Sequence, residues 1–113
     1  MLFLPVIFFG LAAIGGAVLV SIKAMEKNIP LPLAILHGVF AVIGIGFLIK
    51  NVIANPANIM IVASLALFLA AVAGGITLFS FQLRKKPLPV IIIEAHVMTA
   101  VIAFTLLVVS VAS

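Results

Sequence analysis

The sequence predicts an all-α integral membrane protein, a four-helix up-down-up-down bundle built from two tandem two-helix repeats. Three observations carry that prediction. Of the 113 residues, 67% are hydrophobic and 7% are charged, whereas a soluble domain carries roughly a quarter charged residues. Four apolar runs, residues 2–22, 33–49, 57–83 and 90–112, cover most of the chain, and about 20 helical residues cross a bilayer core. The two halves also match at a fixed offset. Gly15-Gly16 and Gly74-Gly75, Leu19 and Leu78, Ser21 and Ser80, Lys27 and Lys86, and His37 and His96 are each 59 positions apart.

The first run, "MLFLPVIFFGLAAIGGAVLVSIKA", has no basic residue ahead of its apolar part. That part also exceeds the about 7–15 residues of a signal-peptide core, so it reads as a retained first helix. The second helix follows "IPLPLAILHGV", residues 29–39, in which the prolines mark the turn. The segment "KNVIANPAN" is the next loop, with Asn51, Asn55, Pro56 and Asn58 forming the turn and Pro56 starting the third helix. The fourth helix follows "KPLPVIIIEAHVM", residues 86–98, which repeats the Pro-Leu-Pro and histidine of the second. One transmembrane domain therefore spans 1–113, with repeat 1 at 1–55 and repeat 2 at 56–113. Each repeat crosses twice, so the copies share one topology and are related by an axis along the membrane normal.

Charge sets the orientation. Lys23, Lys27, Arg84, Lys85 and Lys86 lie in the first and third links, and the middle loop has Lys50 alone. The positive-inside rule places those two links in the cytoplasm and both termini outside. The net charge of +4 then matches anionic lipid rather than nucleic acid, because the few cations sit at helix ends. The chain has no cysteine, which excludes disulfides and cysteine-ligated iron–sulfur clusters. It also has no Trp or Tyr, so Phe and Lys supply the interface belt those residues usually provide.

His37 and His96 are the only histidines, and intramembrane ionisable residues are functional candidates by default. Each lies roughly 8–10 Å into the membrane from its proline turn, at about 1.5 Å per residue. In a square bundle with adjacent axes roughly 8–10 Å apart, the second and fourth helices are about 12–14 Å apart on the diagonal. Two inward imidazoles are not expected to touch across that gap, so another group would fit between them. The Gly15-Gly16 and Gly74-Gly75 pairs fall near the same depth on the other two helices. Glycine costs about 1 kcal/mol in a helix relative to alanine. Two explanations stand for the four of them: close helix–helix approach, or room for a flat macrocycle. Imidazole is an axial ligand of haem iron. The residues thus predict one haem b per chain, with His37 and His96 as metal ligands and Gly15, Gly16, Gly74 and Gly75 in the cofactor site. Lys23, Lys27, Lys85, Lys86, Ser21 and Ser80 lie toward the surface where propionates would sit. Iron held by two histidines has no open position, so the implied role is electron transfer rather than stand-alone catalysis.

This layout resembles the four-helix b-type membrane cytochromes, such as the cytochrome b561-like proteins. The segments "PLPLAILHGVFAVIGI" and "KPLPVIIIEAHVMTAVIAF" also look like those of small bacterial four-helix membrane proteins, which implies a bacterial inner membrane. The resemblance implies a membrane electron carrier, with His37 and His96 as the axial pair and a quinone or redox protein as partner. The cytochrome b561 type usually holds two haems on four histidines, whereas this chain has two histidines and so holds at most one such haem.

Other readings stand beside it. Histidines can be structural, bonded to a carbonyl or to a hydroxyl such as that of Ser21, Ser64, Thr99 or Thr105. Glu94 is the one acidic residue inside an apolar run and suits a small proton-coupled transporter. It falls two residues from His96, about 200° around the helix, so the two cannot both face the bundle axis. Glu94 is expected to pair with Lys85 or Lys86, or to face a neighbouring subunit of a homo-oligomer. A haem-free anchor or assembly subunit is the third reading. Met60 and Met98 read as packing residues.

Overall fold

Apolar side chains and a lack of internal turn signals make each run a long helix. The computed structural model describes residues 2–113 and contains α1 (Phe3–Ala24), α2 (Leu31–Ala54), α3 (Ile59–Leu83) and α4 (Val90–Ala112). All four are long and apolar enough to cross a membrane, which makes the chain an integral membrane protein. The molecule measures 42 × 21 × 20 Å, and its long dimension exceeds the ~30 Å of a bilayer core. Large apolar side chains such as Ile53, Ile59, Ile76 and Ile91 are exposed on the outside, where lipid replaces water.

The helix ends follow local chemistry. Pro30 and Pro89 are extended at the N-caps of α2 and α4, with φ −62° and −65°. A proline suits this place because the first helical N–H groups have no intrahelical acceptor. Lys50 belongs to α2 rather than to a loop, because the helix continues through Ala54 and Asn51 Nδ2 donates to the Phe47 carbonyl at 2.8 Å. Pro56 does not start the third helix. Asn58 caps α3 instead, its Oδ1 accepting from the Met60 and Ile61 N–H groups at 3.2 and 3.4 Å, and so satisfying two orphan donors.

α1 packs along α2, and α3 along α4; α2 also touches α3, and α1 touches α4. The buried residues gather in one half of the bundle. Buried residues run from Pro5 to Ala12 in α1, at Gly44 and Leu48 in α2, from Ile61 to Ala71 in α3 and from Ala103 to Ser110 in α4. No described residue from Ala13 to Ile43, or from Val72 to Ile102, is buried. In the half that holds the buried residues, Ser64 Oγ donates to the Ala103 carbonyl at 2.8 Å and Asn58 Nδ2 to Ser110 Oγ at 3.2 Å, binding α3 to α4. At the other end Gln82 Nε2 donates to the Ile29 carbonyl at 3.0 Å and ties α3 to the α1–α2 link.

Candidate functional site

The boundary between the two halves is the histidine layer. His37 Nδ1 lies 2.7 Å from the Ala12 carbonyl oxygen, and His96 Nδ1 lies 2.7 Å from that of Ala71. A carbonyl only accepts, so each Nδ1 carries the proton and donates it, which leaves each Nε2 with a lone pair. Among the described residues neither Nε2 has a hydrogen-bond partner.

The glycine pairs explain how an imidazole reaches a helical carbonyl. Ala12 O and Ala71 O already face the N–H groups of Gly16 and Gly75 in the helix ladder, and each has a second lone pair to offer. A side chain at 16 or 75 would stand between that lone pair and the ring. A Cβ on Gly16 would lie 3.1 Å from His37 Cε1, and one on Gly75 would lie 3.2 Å from His96 Cε1. A Cβ on Gly15 would meet His37 Cβ at 3.5 Å, and one on Gly74 would meet His96 Cβ at 3.3 Å. The four glycines therefore lie against the imidazoles themselves, each pair serving the histidine of the adjoining helix.

Across the bundle the two rings approach each other, with centroids 6.2 Å apart and planes at 87°. This is nearer than the separation of diagonal axes suggests, because each side chain spans part of that gap. One helical turn from Ala12 and Ala71, the other diagonal is bridged by Phe9 and Phe68, stacked at 3.6 Å. Among the described residues no third His, Cys, Asp or Glu joins the histidines in a group able to hold a metal ion. The available donors are two imidazole nitrogens.

Other expected contributors lie elsewhere. Ser21 is exposed and its hydroxyl donates to the Ala17 carbonyl at 2.8 Å; Thr105 donates likewise to Val101. Neither bonds a histidine. Lys27, Lys85 and Lys86 are exposed, while Lys23 and Ser80 are half-buried. Met98, expected to pack, is instead exposed on the outside of α4. Glu94 is exposed on α4, and among the described residues it pairs with neither Lys85 nor Lys86.

The carbonyls of Ala12 and Ala71 and the Phe9–Phe68 stack are parts of the site that a search for ionisable residues misses. The signal that could have found them is the 59-residue offset, which relates Ala12 to Ala71 and Phe9 to Phe68. No protein-family model, curated protein sequence or solved structure matches the chain.

Proposed function

We propose that the chain is a b-type membrane cytochrome, in which His37 and His96 hold one haem b between two hairpins that arose by tandem duplication. In this reading the bundle runs up-down-up-down with the α1–α2 and α3–α4 links in the cytoplasm. The observation that carries the proposal is the state of the imidazoles. A metal-bound histidine usually donates its other ring N–H to a carbonyl or carboxylate, which fixes tautomer and orientation. Both Nδ1 atoms here do so, and both Nε2 atoms are left without a partner among the described residues.

Two further features agree. The two imidazoles approach each other across the bundle, with centroids 6.2 Å apart, so one group could meet both. The half of the bundle beyond the histidines, toward Lys23 and Ser80, has no buried described residue. The donor set thus fits the group.

Each residue then has a definable task. Ala12 and Ala71 orient the imidazoles. The glycine pairs let the rings lie against the neighbouring helix, and the phenylalanine stack packs the bundle on the far side. Lys23 and Ser80 are half-buried polar groups that could meet propionates. Haem supplies a one-electron couple when bound in this way. The protein is then an electron-transfer subunit that exchanges with a quinone or a redox protein.

One observation favours a second reading. The same Nδ1–carbonyl bonds join α1 to α2 and α3 to α4, so the histidines also serve as purely structural clasps. Haem content separates the two. The cytochrome reading expects His37→Ala and His96→Ala each to lose haem from a purified protein that holds it, while Glu94→Gln keeps it. Full haem retention in both alanine variants would overturn the ligand assignment. The clasp reading expects no haem in the parent and only a lower Tm in the variants. The outward position of Glu94 gives the transporter reading no carboxylate inside the bundle.

A further inference from the structure

The link between α3 and α4 opens with three cations in a row, Arg84, Lys85 and Lys86, and all three are exposed. Among the described residues no carboxylate pairs with any of them. The repeat supplies a control within the chain. The positions 59 residues earlier are Met25, Glu26 and Lys27, whose charges cancel. The two turns share one backbone: Glu26 and Lys85 have φ of 58° and 54°, and equivalent N–H bonds close both helices. A turn of this shape therefore forms, and ends a helix of this kind, without the three cations. Neither backbone geometry nor the negative end of the helix dipole accounts for them.

Arg84 is also held in place. Its Nε donates to the Ser80 carbonyl at 3.3 Å, and its guanidinium carbon lies 4.8 Å from the centre of the Phe81 ring. The two terminal nitrogens have no partner among the described residues. A guanidinium fixed in this way offers a pre-ordered pair of donors, which matches two oxygens of one phosphate. The residue that corresponds to Phe81 in the first repeat is Ile22. The first turn thus lacks the aromatic platform as well as the arginine.

Depth decides which phosphate the turn meets. The molecule is 42 Å long, and a bilayer with its headgroups measures about 40–45 Å. A turn that ends a membrane-spanning helix of this molecule lies among lipid headgroups. We infer that Arg84, Lys85 and Lys86 form a binding site for the headgroup of an anionic phospholipid. The terminal nitrogens of Arg84 donate to its phosphate oxygens. The two lysines select a headgroup of net negative charge over a zwitterionic one, whose own cation they repel. The site shares no residue with the histidine layer, so it stands whether or not haem binds.

The test is to titrate protein purified in an uncharged detergent with phosphatidylglycerol or phosphatidylcholine, and to count bound lipid by native mass spectrometry. Phosphatidylglycerol should bind roughly ten-fold more tightly or better, and millimolar inorganic phosphate should not displace it. Arg84→Lys keeps the charge but loses the fork, and should weaken binding roughly three-fold or more. Arg84→Met with Lys85→Glu rebuilds the charge pattern of the first turn, and should weaken it about 25-fold or more, at about five-fold per cation. Lys50→Met, at the opposite end of the bundle, should leave binding unchanged. Circular dichroism of each variant establishes that the helices remain. Equal affinity for the two lipids, unchanged binding in Arg84→Lys, or displacement by inorganic phosphate would each overturn the inference.

Discussion

The rings of Phe9 and Phe68 lie face to face, with centroids 3.6 Å apart and planes within 2° of parallel. They come from α1 and α3, helices that otherwise meet little, and both are almost fully buried. Leu48, Ile61, Ala103 and Leu107 complete the cluster around them. The stack lies beside the histidine layer, at the edge of the half that holds the buried residues. Phe9→Ala or Phe68→Ala should therefore open the packed half. The expected loss is roughly 2 kcal/mol, less than the 3–5 of a soluble core, because lipid also solvates the ring when the helices separate. Thermal unfolding in detergent measures it. No change in either variant would show that the stack holds nothing together.

Gly44 tests the same packing from a neighbouring helix. A Cβ there would lie 3.1 Å from three atoms of the Phe9 ring, and that ring cannot retreat because Phe68 backs it. Gly44→Ala should lower Tm despite alanine's better helix propensity.

The remaining helical glycines should divide by what faces them. Gly16→Ala and Gly75→Ala press on imidazoles held by hydrogen bonds, so each should destabilise by about 1 kcal/mol or more as the bond lengthens. Gly38 and Gly46 have nothing within 4 Å of an added Cβ. Gly38→Ala and Gly46→Ala should instead stabilise by about 0.5–1 kcal/mol through backbone entropy. A Tm series over the four variants checks the sign of each.

Much of this architecture was legible in the sequence. The four helices follow from apolar length, and the histidine layer from the 59-residue offset of His37 and His96. The role of the glycines was not legible. Spacing placed Gly15-Gly16 and Gly74-Gly75 at the histidine depth, but only coordinates show that each pair opens a helical carbonyl to an imidazole. The start of α3 departs from the sequence expectation for a local reason: Pro56 reads as a first-turn proline, whereas the side chain of Asn58 supplies the cap. The direction of Glu94 was only half readable: periodicity turned it away from His96, but could not show that Lys85 and Lys86 fail to reach it.

The helix ends that precede the two proline turns contain a removable strain. Glu26 and Lys85 have φ of 58° and 54°, a left-handed conformation that side chains disfavour by roughly 1–2 kcal/mol. Each follows a helix whose last carbonyls are closed by paired bonds, Glu26 N to Lys23 O with Lys27 N to Ile22 O, and Lys85 N to Gln82 O with Lys86 N to Phe81 O. This is the Schellman arrangement, in which glycine is preferred at the left-handed residue. Glu26→Gly and Lys85→Gly should each raise stability by about 1 kcal/mol. A lower Tm in both would mean that these side chains make contacts that outweigh the strain.

The most direct test of the central claim is an absorption spectrum of the purified protein, oxidised and then reduced with dithionite, with the haem quantified as its pyridine complex. Iron held by His37 and His96 predicts a sharp reduced α-band and about one haem b per chain. A colourless protein, still colourless after expression with a haem precursor supplied, would contradict the account and leave the two histidines as clasps between paired helices.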